Sequence, residues 1–184
     1  MTRVSYKTAP SLGPILVIDD HPIIATACRL VLESVGIGNV VAAYDAASGY
    51  QAFLQHKPAV VLVDLSLKGE ASGGLALITR IRADDPEAHI LAFSMHADRG
   101  SFVSAIEAGA TGYLVKDASP DELVQAVQEA RSGRHYIDAQ LALTLAFPDK
   151  TLSSRERQVL AILLAGTPYA AIARLLEDRS SNLH

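Results

Sequence analysis

Carboxylate, hydroxyl and ammonium groups follow four short apolar runs of the sequence. These groups are, in chain order, Asp19, Asp20, Asp64, Ser94 and Lys116. If the apolar runs are parallel strands of one open sheet, their polar endings lie along one edge, where doubly wound folds bind ligands. Three carboxylates crowded together must share a proton or bind a cation. The spacing therefore predicts a cation site at one edge of a sheet.

The predicted cation is Mg²⁺, because a set of oxygen ligands suits this ion and leaves room for water and phosphate oxygens. Asp19 and Asp20 would hold the metal, and Asp64 would bridge to it. The backbone carbonyl of Ser66 is a further candidate ligand. No second histidine stands at metal-ligand spacing from His21, so a zinc site is not predicted.

A carboxylate beside a divalent cation and a lysine could accept a phosphoryl group. Asp64 would attack the phosphorus atom while the metal and Lys116 neutralise charge on the phosphoryl oxygens. The product would be an acyl phosphate on Asp64. The hydroxyl of Ser94 could then donate a hydrogen bond to the new group, and a shift of the Ser94 loop would be the first mechanical consequence.

Predicted strands and helices alternate along the chain, and they must position these groups. The apolar runs have the composition of strands buried on both faces, and Gly, Pro and Asp signals separate them from helical segments. Strands are predicted at 15–19, 40–44, 60–64, 89–94 and 112–115, and helices at 22–35, 46–56, 75–83, 99–108 and 119–131. This alternation predicts an α/β fold, a doubly wound five-stranded parallel sheet with the flavodoxin-like order 2-1-3-4-5.

The chain divides into four predicted segments. These are a flexible leader at 1–13, the α/β domain at 14–133, a linker with helical character at 134–150 and a small all-α segment at 151–184. In the last segment, Ser153 and Glu156 form a capping box, and Gly166 separates two short helices. Two short helices joined at a glycine are the beginning of a helix-turn-helix.

Composition narrows the function classes. The 184 residues carry 16 Lys and Arg against 20 Asp and Glu, a net charge of −4, so no global positive field draws the chain to nucleic acid. The single cysteine, Cys28, is predicted to be a buried small residue in a reducing compartment. No run approaches the roughly 20 apolar residues of a membrane span. We therefore expect a cytoplasmic protein with no membrane partner.

The constellation of Asp19-Asp20, Asp64, Ser94 and Lys116 resembles the receiver domain of bacterial two-component response regulators, over about residues 14–135. The stretches 93–96, 108–118 and 152–160 are similar to the NarL/FixJ subfamily, whose second domain is a LuxR-type helix-turn-helix. The resemblance implies a signalling protein rather than an enzyme. It also implies a receiver fold and a place in a phosphorelay.

The resemblance assigns roles to individual residues. It implies that Asp64 accepts a phosphoryl group from the phosphohistidine of a sensor histidine kinase, and that Asp19 and Asp20 bind Mg²⁺. Ser94, Lys116 and Tyr113 would report the phosphorylated state. The expected partners are the kinase, a second copy of the chain in a homodimer, and a protein that receives the output.

Two features depart from the family pattern. The segment after the acceptor is longer than usual and brings Lys68 close to the site. A complete LuxR-type domain also continues past Leu176 with a recognition helix that reads the major groove, and no such helix is predicted in 177–184. We therefore expect signalling through changed protein contacts or dimerisation. The alternative is a DNA-binding transcription regulator with a LuxR-type output domain, seen here truncated.

A phosphatase of the haloacid dehalogenase type is a third alternative, since those enzymes also combine Asp, Ser or Thr and Lys on a doubly wound sheet. They place two aspartates two residues apart after the first strand, and Asp19-Asp20-His21 lacks that spacing. A nucleotide or flavin binder is disfavoured because the loop from Asp19 to Pro22 has no glycine to cradle a phosphate.

Overall fold

The computed structural model describes residues 13–68, 73–137 and 141–142. The predicted leader, apart from Gly13, lies outside the described residues, as does the whole partial helix-turn-helix at 151–184. Of the predicted linker at 134–150, only 134–137 and the helical pair Leu141 and Ala142 are described. Among the described helices, none has the length and apolar character needed to cross a membrane.

Strands and helices alternate along the described chain. The elements are β1 Ile15–Ile18, α1 Pro22–Ser34, β2 Val40–Ala43, α2 Ala46–His56, β3 Val60–Asp64, α3 Gly73–Asp84, β4 Ile90–Ser94, α4 Arg99–Ala108, β5 Gly112–Val115, α5 Pro120–Arg131 and β6 Tyr136–Ile137. The doubly wound α/β fold is therefore confirmed, and each strand and helix predicted between residues 15 and 131 is present within two residues of its expected bounds.

The sheet has the order β2-β1-β3-β4-β5-β6, and all of its strands pair in parallel. The predicted order 2-1-3-4-5 is confirmed, but the prediction of five strands was wrong because β6 adds a sixth beside β5. Two residues are too few to show a strand pattern in sequence. Gly112 allows this pairing, since a Cβ on it would lie 2.8 Å from the Tyr136 carbonyl oxygen.

Each face of the sheet is covered by helices, which produces two apolar layers. Leu16 and Ile18 of β1 belong to the layer that includes residues of α2, α3 and α4. Ile15 and Val17 point to the opposite face and pack with residues of α1 and α5. Cys28 lies in this second layer and is buried as predicted; burial, with the charge of Asp19, raises the pKa of its thiol to about 11.

Side-chain caps fix where three helices begin. Asp45 accepts a hydrogen bond from the backbone N–H of Ser48 at 2.8 Å, and Asp98 accepts one from Ser101 at 2.9 Å. Ser119 and Glu122 form a reciprocal capping box at the start of α5. These caps hold the N-terminal ends of α2, α4 and α5 at the edge of the sheet where the candidate site lies.

A buried arginine ties together two loops at the opposite edge of the sheet. The guanidinium of Arg82, at the end of α3, donates to the Gly109 carbonyl from Nε at 3.1 Å and from Nη2 at 2.9 Å. It also donates to the Ala88 carbonyl at 2.6 Å and to the Pro86 carbonyl at 2.5 Å. These bonds connect the segment after α3 with the turn that ends α4.

Helix α3 begins two residues before the predicted start at Leu75, and its first residues are Gly73 and Gly74. Glycine disfavours a helix, which is why sequence reasoning assigned these residues to a loop. The reason for glycine is steric, because a Cβ on Gly74 would lie 2.2 Å from the backbone carbonyl oxygen of Asp64. The first turn of α3 therefore packs directly against the end of β3.

We predict that Gly74→Ala destabilises the protein, because the backbone beside Asp64 must shift to admit a methyl group. Overpacking of this kind costs about 1–3 kcal/mol in the free energy of unfolding, which urea denaturation would measure. Gly38→Ala is the matched control, since a Cβ on Gly38 meets nothing within 4 Å. Equal stability of the two variants would contradict the close approach of α3 to β3.

Candidate functional site

The polar groups singled out in the sequence lie at the carboxyl ends of four adjacent strands. In the parallel register, Ile18 pairs with Val63, Asp64 with Phe93, and Ser94 with Val115. The structure therefore brings Asp19, Asp20, Asp64, Ser94 and Lys116 to one edge of the sheet, as the strand pattern predicted.

Lys116 joins two buried carboxylates at the centre of this edge. Its Nζ lies 2.6 Å from Oδ2 of Asp19 and 2.8 Å from Oδ2 of Asp64. Both aspartates are fully buried, and the lysine side chain is only 4% exposed. Burial alone would lower the pKa of Lys116, but hydrogen bonds to Asp19 and Asp64 outweigh it and raise the pKa above its usual value. The ammonium therefore stays charged at neutral pH.

Asp20 pairs with a different set of cations. Its Oδ1 lies 2.8 Å from Nδ1 of His21, and its Oδ2 lies 3.1 Å from Nζ of Lys68. Burial raises the pKa of Asp20, but the hydrogen bond from Lys68 and the charge of His21 more than offset this, so the pKa lies below its usual value. Since the folded-state pKa is depressed, Asp20 stabilises the fold above its ordinary pKa. This contribution is lost as the pH falls through the folded-state value.

The residues around this edge form an oxygen-rich donor set that fits a divalent cation. Donor atoms of Asp19, Asp20, His21 and Asp64 all lie within 4.8 Å of one another. Four carboxylate oxygens of this set are buried: both oxygens of Asp20, Oδ2 of Asp19 and Oδ2 of Asp64. Apart from their ion pairs, they accept no hydrogen bond within the described ranges. Carboxylate oxygens left in this state suit Mg²⁺.

His21 is the member of this set that sequence reasoning missed. Sequence reasoning provided an argument only against zinc at this residue, and its side chain is 57% exposed. Its Nδ1 nevertheless contacts both Asp20 and Asp19, at 2.8 Å and 3.2 Å. The available signal was its position directly after two carboxylates.

The loop after β3 is held by Asp64 itself. The Ser66 backbone N–H donates to Oδ1 of Asp64 at 2.8 Å, while Oδ2 of the same carboxylate faces Lys116. The two oxygens of Asp64 are thereby distinguished, one bound by backbone and the other by an ammonium. The structure positions the Ser66 backbone beside the site, and the role of its carbonyl as a metal ligand stays a prediction.

Ser94 and Tyr113 hold the peptide groups of His96 from two sides. The Ser94 hydroxyl oxygen accepts a hydrogen bond from the His96 N–H at 3.2 Å, and the Tyr113 hydroxyl donates to the His96 carbonyl at 2.7 Å. Tyr113 is fully buried, with its ring edge-on to Phe102 at 5.8 Å between centroids. Burial raises the pKa of Tyr113, so it remains a neutral donor. The described loop between β4 and α4 is therefore connected to both β4 and β5.

Comparison with known proteins identifies the family. A family model described as the response regulator receiver domain matches residues 15–128. The chain belongs to this family. Its place in two-component signalling, predicted from the resemblance, is thus confirmed, and the strand-end aspartates, serine and lysine lie in a receiver domain.

Individual relatives agree with this assignment. The methanol utilization control regulatory protein MoxX of Paracoccus denitrificans is 32% identical over 167 residues, covering 86% of this chain and 75% of the relative. The oxygen regulatory protein NreC of Staphylococcus haemolyticus is 31% identical over 178 residues, covering 88% of this chain and 82% of the relative. A LuxR-family two-component response regulator from Aurantimonas sp. SI85-9A1 has a similar structure, with 36% identity and a TM-score of 0.68 over 74% of this chain and 96% of that chain.

The signal receiver domain of the response regulator NarL from Mycobacterium tuberculosis is also similar, with 30% identity and a TM-score of 0.63 over 68% of this chain and all of that chain. The chain is accordingly a response regulator with a NarL-type receiver domain. Proteins of this class are signalling proteins that act with sensor histidine kinases and often dimerise. Receiver domains in general bind Mg²⁺ at an acidic pocket, and this chain has such an aspartate cluster.

We predict that Lys116→Met lowers the free energy of unfolding by about 3–5 kcal/mol, because it leaves Asp19 and Asp64 buried without their shared counter-charge. Urea denaturation at neutral pH without divalent ions would measure the loss. The double variant Asp64→Asn with Lys116→Met should lose less, since only one buried carboxylate is then uncompensated. If Lys116→Met were as stable as wild type, the ammonium would not be the group that keeps these carboxylates together.

Proposed function

We propose that Asp64 is the residue that accepts a phosphoryl group from the phosphohistidine of a sensor histidine kinase. The observation that carries this proposal is the Lys116 ammonium, held 2.8 Å from Asp64 and 2.6 Å from Asp19 at the carboxyl edge of the sheet. A buried carboxylate beside a fixed cation is suited to attack phosphorus, because the cation offsets the negative charge of the incoming group.

The cofactor of the proposal is Mg²⁺, with Asp19, Asp20, Asp64 and the backbone carbonyl of Ser66 as its ligands. The cluster of carboxylate donor atoms supports this assignment. When bound, Mg²⁺ neutralises negative charge on the phosphoryl oxygens. His21 and Lys68, which pair with Asp20, are neighbours of this site rather than members of the proposed ligand set.

The transfer step requires only a nucleophile, a donor and charge compensation. A carboxylate oxygen of Asp64 forms a bond to phosphorus while the P–N bond to the kinase histidine breaks, and the electron pair of that bond returns to the imidazole nitrogen. The product is an acyl phosphate on Asp64. Lys116 orients the carboxylate beforehand and remains beside the three phosphoryl oxygens afterwards.

In this proposal, the structural response to phosphorylation begins at Ser94. The Ser94 oxygen accepts from the His96 N–H and its proton can be donated to the phosphoryl group, so a movement of this hydroxyl toward that group would carry the His96 peptide with it. Tyr113 holds the carbonyl of the same residue, so a displaced loop also changes the environment of the Tyr113 hydroxyl. The surface that would change comprises β4, α4 and β5. We propose that this change alters contacts with a protein output partner or promotes a homodimer, in the cytoplasm.

The proposal predicts that Asp64→Asn is not phosphorylated. Wild-type protein incubated with acetyl phosphate and Mg²⁺ should gain one phosphoryl group by intact mass, while Asp64→Asn should gain none because an amide does not attack phosphorus. Asp45→Asn is the matched control, since asparagine also caps a helix and Asp45 serves α2 rather than the site. It should be phosphorylated like wild type. A modified Asp64→Asn protein would remove the assignment.

A DNA-binding regulator with a LuxR-type output domain is the second candidate function. One observation favours it, because similarity to MoxX covers 86% of this chain, more than the receiver match at 15–128 accounts for. The residues concerned, from 151 onward, lie outside the described part of the chain.

Mobility shift of promoter DNA with acetyl-phosphate-treated protein separates the two functions. Signalling through protein contacts alone predicts no sequence-dependent shift, because it involves no reading of base edges. A shift that requires a specific sequence and increases on phosphorylation would instead support the transcription regulator. Asp64→Asn protein is the control, since any phosphorylation-dependent shift should be absent from it.

A further inference from the structure

Lys68 contacts the metal site from the loop that follows the acceptor strand. Its ammonium lies 3.1 Å from Oδ2 of Asp20, a carboxylate that is only 7% exposed. The contact depends on the backbone of this loop, which is fixed on two sides. The Ser66 N–H is bound to Asp64, and the Leu67 side chain is buried in the apolar layer under α3. The two residues that precede Lys68 in the loop are therefore held in place.

The three aspartates do not all pair with the same cationic side chains. Asp19 and Asp64 share Lys116 as their direct ion-pair partner. Asp20 instead pairs with Lys68 on one oxygen and with His21 on the other. Within the described residues, Lys68 is thus the lysine that contacts Oδ2 of Asp20, a carboxylate proposed to hold Mg²⁺.

We infer that Lys68 is a built-in competitor of Mg²⁺, which occupies Oδ2 of Asp20 in the metal-free protein and is displaced when the metal takes that oxygen. This inference rests on the proposed Mg²⁺ site. An ammonium and a metal ion at contact distance on one carboxylate oxygen repel each other, so each weakens the binding of the other. Mg²⁺ binding is consequently an exchange of cations at Asp20, and its affinity is set partly by a residue that is not a ligand.

The size of the effect follows from the exposure of Lys68. Its side chain is 79% exposed, so the ammonium regains full hydration when it leaves Asp20. Ion pairs of this kind contribute about 0.2–1 kcal/mol, which corresponds to a change in affinity of about 1.4- to 5-fold. Lys68 therefore adjusts the Mg²⁺ affinity and does not abolish binding.

The experiment is a calorimetric titration of the full chain with MgCl₂ at physiological ionic strength. Lys68→Gln removes the charge and keeps most of the side chain, Lys68→Arg keeps the charge, and Arg29→Gln removes one exposed charge from α1. Arg29 is not an ion-pair partner of Asp20 among the described residues, so this control reports the general effect of net charge. Asp20→Asn defines binding at the proposed site.

We expect Lys68→Gln to bind Mg²⁺ about 1.4- to 5-fold more tightly than wild type, while Lys68→Arg and Arg29→Gln remain within experimental error of it. The thermal stabilisation produced by a fixed Mg²⁺ concentration should increase in the same order. Equal or weaker binding by Lys68→Gln would overturn the inference and leave the metal site intact. Wild-type binding that Asp20→Asn does not reduce would instead overturn the proposed Mg²⁺ site.

Discussion

The repulsion between buried carboxylates is the constraint on which the rest of this receiver depends. Asp19 and Asp64 lie at the ends of adjacent strands and are both fully buried, in a medium that screens charge poorly. Lys116 relieves this repulsion because β5 delivers its ammonium between them. The position of β5 in the sheet is therefore required by the electrostatics of the site as well as by packing.

Much of this arrangement could be read from the sequence because two independent patterns agree. The apolar runs identify strands, and a polar residue at the end of each run identifies the edge where those strands converge. Val60–Asp64 shows this most clearly, since four apolar residues with no polar interruption end in a carboxylate. The caps at Asp45, Asp98 and Ser119 were equally visible, because capping is a local interaction between residues close in sequence.

Features that depend on long-range approach could not be predicted in the same way. Gly74 was assigned to a loop by its helix propensity, but its position is set by the carbonyl of Asp64, ten residues earlier in the chain. Strand β6 is too short to show the residue pattern of a strand, and its pairing with β5 is what reveals it. The contact of Lys68 with Asp20 joins two loops, and no spacing rule connects them.

The hydrogen bonds of Arg82 fix the C-terminal end of α4 to the segment that follows α3. Gly109, where α4 terminates, is tied by two of these bonds to the C-terminal end of α3, whereas the N-terminal end of α4 is joined to the site through the loop that carries His96. A helix that is fixed at one end responds to a displacement of its other end by rotating about the fixed end. A small movement at Ser94 would therefore rotate the start of α4 about Gly109, and the displacement would be greatest at the edge of the sheet where the aspartates lie.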